Sequence, residues 1–398
     1  MTRTAYSEQF GRELDVEQLA RLCTGTPTDT PINLSLAATR DALDAAMPGL
    51  ECPSCFAKGA VLIREGRSSN GRVVRQAHYR FLDSGEQTAH HPLCDFYRND
   101  TSDTKREGSV DFGETKSALT RAIGQLVCVG IERKMFDQSD MRALRKWHFE
   151  LRSTHQFRIT RPAAAVSWCV ELVGRRGHAS DLPFQPCFGD LLDFDWKHAA
   201  ARELSTRYRV VIERFLAILP FGVGWFHAKE RAMSLINQHM GHTMFDATPL
   251  EIHYGRTIAL ADFAAFHWQP LRRAFSRPNL IGEESKGAPV LALCALLLFV
   301  SGWDLLTAAE KLVALISAAQ PSDNTLGNFI GLNPFHDVLA LRLIKAVQDA
   351  TEGVTSSFEY GEELRAEILT MQAQHAAYRA ARSLEQPPET PDTVTHLQ

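Results

Sequence analysis

Cys52-Pro53-Ser54-Cys55 and His91-Pro92-Leu93-Cys94 are two X-Pro-X-Cys knuckles, and the chain between them reads as a hairpin. Ala60-Val61-Leu62-Ile63 has the composition of a strand. Ser68-Ser69-Asn70-Gly71 contains Asn-Gly, a strong hairpin-turn dipeptide. Val73 to Leu82 alternates in the two-residue period of a second strand. A Cys-x2-Cys pair lets one tight turn present two thiolates to a single ion, and Zn²⁺ favours tetrahedral thiolate and imidazole donors. The pattern predicts a zinc ribbon with Cys52, Cys55, His91 and Cys94 as ligands. His91 stands in the frame that Cys52 occupies in the first knuckle. His90, at x3 spacing from Cys94, and His78, on the second strand, are alternatives for the fourth position. Four protein donors leave no open position, so the expected role of Zn²⁺ is structural.

The same residues carry a resemblance. Cys52-Pro53-Ser54-Cys55, the hairpin, Ala77-His78-Tyr79-Arg80-Phe81 and the later Cys94 resemble the N-terminal zinc-binding module of bacterial competence-protein (CoiA-like) families. The likeness spans about residues 50–98. Phe81 stands where that family's second histidine falls, and the nuclease portion of the family is not recognisable downstream. The resemblance implies a bacterial, DNA-associated setting.

Outward from the knuckles the periodicity is that of helices, so the expected fold is mainly α with a small β-hairpin zinc ribbon near the N-terminus. Residues 1–50 read as a helical segment, with Asp15 as the cap of a helix through Cys23. The ribbon takes residues 51–98. The polar stretch 99–112 reads as a linker, 113–385 as one or more α-helical domains, and 386–398 as a disordered tail. Lys197 to Leu219 reads as one long amphipathic helix. Pro289 to Ala319 is expected to be the most buried segment, bent near Ser301-Gly302.

Composition removes several classes. Eight cysteines in 398 residues are too few for a disulfide scaffold, and three sit at metal-ligand spacing, which suits a reducing compartment. The first residues lack an apolar signal-peptide core, and the apolar run Pro289–Val300 is too short to span a bilayer. A cytoplasmic protein without membrane contact is expected. The formal net charge of −4 gives no global attraction for nucleic acid, so DNA or RNA binding needs a local basic patch. Two are visible. The hairpin carries Arg64, Arg67, Arg72, Arg75 and Arg80. Between Arg142 and Arg161, the residues Arg142, Arg145, Lys146 and Arg152 fall on one side of a helix, opposite Leu144, Trp147 and Leu151.

These features predict a non-enzymatic, zinc-stabilised nucleic-acid-associated or adaptor protein. The alternatives are a divergent metal-dependent nuclease around Asp111, Glu114-Thr115-Lys116 and Glu132-Arg133-Lys134, and a scaffold whose helical region binds a protein partner.

Overall fold

The structure is a computed structural model. It describes residues 4–27, 30–67, 70, 73–75, 77–85, 87–91, 94, 96, 118–176, 181–219, 225–269, 284–322 and 332–385. The fold is mainly α, as expected, with small antiparallel sheets. The chain divides into two compact units, Met1–Gln156 with Phe245–Val338, and Phe157–Met244 with Leu339–Gln398. The expected linker at 99–112 and tail at 386–398 lie outside the described residues.

The first unit opens on strands, which corrects the expectation of an all-helical residues 1–50. β1 (Thr4–Ser7) pairs with β2 (Arg12–Asp15), Thr4 opposite Asp15 and Ser7 opposite Arg12. β3 (Leu50–Glu51) joins the other edge of β1, giving the order β2-β1-β3. Ala5, Leu14 and Leu50 are buried beneath this sheet. Asp15 then caps α1 (Val16–Thr24) as predicted: its carboxylate accepts from Gln18 N at 2.8 Å, and Gln18 Oε1 accepts from Asp15 N at 3.0 Å. α2 (Ala37–Ala46) packs on α1, and Leu19, Leu43 and Met47 fill the space between helices and sheet.

The hairpin follows. β4 (Ala60–Ile63) pairs antiparallel with β7 (His78–Phe81), Ala60 opposite Phe81 and Ile63 opposite His78. Further out, β5 (Gly66–Arg67) pairs with β6 (Val73–Arg75). Gly59 sets the base of the hairpin. Its φ is +86°, and a Cβ there would lie 2.4 Å from the Leu82 carbonyl oxygen, which accepts no such approach. Tyr79 and Phe81 are fully buried and join the core of β1 to β3 and α1. The N-terminal segment and the hairpin therefore share one hydrophobic core.

The helical part of the first unit is built around α10 (Glu284–Phe299). It packs against α3 (Ala118–Glu132), α4 (Gln138–Thr154), α9 (Glu251–His267) and α11 (Leu305–Ile316). Every residue from Val290 to Leu298 is buried, which is why the sequence there is apolar on all sides. The predicted break after this helix is present, with Gly302 at φ +60° and Trp303 at φ +64°.

The second unit takes most of a short strand pair, β8 (Gln156–Arg158) and β9 (Thr243–Phe245), and of α12 (Val338–Ala350), together with α5 (Ala164–Gly174), α6 (Trp196–Arg207), α7 (Arg209–Ile218), α8 (Trp225–His239) and α13 (Tyr360–Glu385). α13 packs on α5 and α6. The fully buried Trp168 of α5 donates from Nε1 to Glu363 Oε2 at 3.1 Å. The single helix expected over Lys197–Leu219 is two, because Tyr208 leaves helical geometry at φ −99°, ψ 19°.

Candidate metal centre

The first knuckle lies directly after β3. Phe56 N donates to the Cys52 carbonyl at 3.1 Å and Cys52 N to the Ala57 carbonyl at 2.9 Å, closing a tight turn. Phe56 adopts φ +60°, an uncommon conformation for a bulky residue. This turn sets the Cys52 and Cys55 side chains on the same side. The second knuckle follows β7, where Cys94 N donates to the His91 carbonyl at 2.8 Å.

Four donors converge: Cys52, Cys55, Cys94 and His90, all within 4.8 Å of one another. Zn–S bonds of about 2.3 Å and Zn–N bonds of about 2.05 Å at tetrahedral angles separate two sulfurs by about 3.8 Å and a sulfur from a nitrogen by about 3.6 Å. The Cys52 and Cys94 sulfurs are 3.7 Å apart, and His90 Nδ1 lies 3.5 Å from Cys55 Sγ and 3.6 Å from Cys94 Sγ. Three edges thus have the lengths that a tetrahedral zinc ion requires. Among the described residues this is the one grouping of at least three such donors at metal-binding separation.

The fourth donor corrects the expected set. His90 joins the cysteines, and the neighbouring His91 turns its ring away, edge-on to Phe149 of α4 with centroids 5.1 Å apart. His91 still serves the site through its backbone, whose N–H donates to the Cys55 sulfur. The frame it shares with Cys52 describes the turn and not the donor. His78 is buried on β7 outside the cluster.

Backbone N–H groups approach two of the sulfurs, and the cysteines differ in their ease of ionisation. Ser54 N and Phe96 N point at the Cys52 and Cys94 sulfurs at 3.4 and 3.3 Å. The Cys55 thiol is held far below the usual thiol range, first by hydrogen bonds from Cys52 and Cys94, then by His90 and the His91 N–H. The Cys52 thiol is pushed well up, above all by its burial. The outer contacts are aromatic: His90 meets the edge of Phe81 at 5.3 Å. Cys52 and Cys94 are fully buried, Cys55 partly.

Exchanging His90 for alanine is expected to weaken metal binding by more than about a hundredfold, while His91→Ala, which keeps the N–H, changes it by at most about tenfold. Competition against a chelator measures both. The reverse ranking would return the fourth position to His91.

The basic residues are placed differently from expectation. Gln138, Arg142, Arg145, Phe149 and Arg152 do share a face of α4, but part of that face is docked and not solvated. Arg145 Nη1 donates to Glu13 Oε2 at 2.6 Å, with the two side chains only 2% and 4% exposed. Glu13 also accepts from Thr4 Oγ1 at 2.5 Å, and its backbone N donates to Gln138 Oε1 at 2.6 Å. Arg142 pairs with Glu51, next to Cys52, and its guanidinium lies over the rings of Tyr6 at 3.7 Å and Phe56 at 5.0 Å. Lys58 reaches Glu51 at 3.3 Å. Arg152 is buried, and Lys146 is exposed beside Glu150 at 3.8 Å.

On the hairpin, Arg64 and Arg80 are exposed; Arg75 ends β6, and Arg72 lies outside the described residues. Glu13 and Glu51 carry no sequence signal of this role, since their partners on α4 are far along the chain.

Of the nuclease candidates, Asp111, Glu114 and Lys116 lie outside the described residues. Glu132 closes α3 and accepts from Ser322 Oγ at 2.7 Å, and Lys134 follows at φ +55°. Neither is on a strand. No helix among the described residues is long and apolar enough to cross a membrane. No protein-family model matches the chain, and comparisons with curated proteins and with solved structures likewise give no match.

Proposed function

We propose that Cys52, Cys55, His90 and Cys94 hold one structural Zn²⁺, that the hairpin around it is a zinc ribbon, and that the protein is a non-enzymatic binding or adaptor protein stabilised by that ion. The observation that carries this is the match of three donor separations to tetrahedral edges in a buried site. Four protein donors leave no position for a substrate or a reactive water, which supports a structural ion over a catalytic one. Nucleic acid is the partner this reading retains. Its contact surface is the hairpin, where Arg64 and Arg80 are exposed, because Arg142 and Arg145 are engaged within the first unit.

Metal analysis of the purified chain should give one zinc per chain. Chelation should then speed amide exchange across residues 4–96 and leave residues 339–385 unchanged. A metal-free protein that stays fully protected over residues 4–96 would refute the structural role. Binding to DNA or RNA that weakens steeply with salt, and that falls on Arg80→Gln, supports the nucleic-acid partner; binding indifferent to salt removes it.

A further inference from the structure

Two arginines of α4, Arg142 and Arg145, are covered by carboxylates of the zinc-bearing module. Glu13 of β2 and Glu51 of β3 each take one arginine, Tyr6 and Phe56 lie beneath Arg142, and His91 meets Phe149 of the same helical face. Three of these covering residues are tied to the proposed metal. Glu51 directly precedes Cys52, Phe56 directly follows Cys55, and His91 directly follows His90. A surface built only for packing would more economically be apolar, since a buried ion pair rarely stabilises more than hydrophobic residues of the same volume.

We propose that the face of α4 bearing Arg142 and Arg145 is a latent binding surface for nucleic-acid phosphates, covered while the metal centre is filled and uncovered when the metal leaves. This rests on the zinc reading above. Without the ion, the turn that positions Glu51 and Phe56 loses its clasp, and the carboxylates separate from their arginines. The guanidinium groups at positions 142 and 145 then stand free along one side of a helix, an arrangement that can take neighbouring phosphates of a nucleic-acid backbone. The ion thus holds nucleic acid off this face.

The test uses the full chain and a short fluorescent duplex DNA of random sequence, with the zinc-loaded protein and the same protein after chelation. The expected result is at least about tenfold tighter binding after chelation. The salt dependence should steepen by about 0.9 in log–log slope for each arginine released. Trypsin should cut after Arg142 and Arg145 only in the chelated protein, and restoring zinc should reverse both effects. Arg142→Gln, which removes the partly exposed pair with Glu51 and the ring contacts to Tyr6 and Phe56 but leaves the buried Arg145 pair, should lower the slope of the chelated protein by about one.

If the purified chain carries no metal and takes up none, the zinc reading itself fails. If it binds zinc, yet chelation changes neither the trypsin pattern nor DNA affinity, the metal site stands and the latent surface is overturned. A gain in affinity that Arg142→Gln leaves unchanged in slope, with trypsin still excluded from Arg142 and Arg145, also overturns it, because the gain then arises elsewhere.

Discussion

Arg145→Ala should destabilise the first unit by about 3–5 kcal/mol, the range for breaking a buried ion pair from one side. Arg145 and Glu13 are both shielded from water, and their 2.6 Å contact is charge-assisted. Truncating the arginine leaves the carboxylate in a low-dielectric site, where removing a charge from water is expensive. Thr4 Oγ1 is a neutral donor and offsets only part of this. Replacing both partners should behave differently. Arg145→Met combined with Glu13→Leu removes both charges and should recover most of the loss, giving a coupling of several kcal/mol in a double-mutant cycle. Denaturant unfolding followed by amide exchange over α1 and α4 would measure it. A loss below about 1 kcal/mol for Arg145→Ala would mean that the pair is solvated and that α4 is not docked there.

The second large effect belongs to the cysteines. Cys52→Ser and Cys94→Ser should each abolish stoichiometric metal binding. With zinc a thousandfold above its Kd, each should also remove on the order of 4 kcal/mol of metal-linked stability from the N-terminal module. Cys187→Ser is the control, since Cys187 is exposed and lies in the other unit. It should leave both quantities unchanged. The serine variants should also lose their response to chelator, because the wild-type response comes from the ion. A Cys52→Ser protein that keeps one zinc per chain, or that melts as wild type does in saturating zinc, would show that the four donors do not act as one site.

Some of this was legible in the sequence because the signal was local. Asp15 and Gln18 form a capping box three residues apart. The three cysteines stand in tight turns, and Ser301-Gly302 interrupts an apolar run. What the sequence hid depends on distant partners. Arg145 sits in an amphipathic pattern that reads as a wet cationic face, yet its carboxylate lies 132 residues away. The choice between His90 and His91 is one residue of turn geometry, and the repeated X-Pro-X-Cys frame points to the wrong ring. β2 is Arg-Glu-Leu-Asp, with no β-branched or aromatic residue, and β1 is only four residues long, so pairing more than propensity makes them strands. The break at Tyr208 has neither proline nor glycine to mark it.

The interleaving of the two units bears on how the chain is made. α3 and α4 emerge from the ribosome well before α9, α10 and α11, the helices that complete their unit. At about 5 to 20 residues per second, translating the intervening stretch Phe157–Met244 takes on the order of 4 to 18 s. During that interval Trp147, whose ring partners are His253, Phe299 and Trp303, has none of them yet. The nascent chain therefore carries the Trp147 ring without these partners for seconds, an apolar side chain of the kind that chaperones hold.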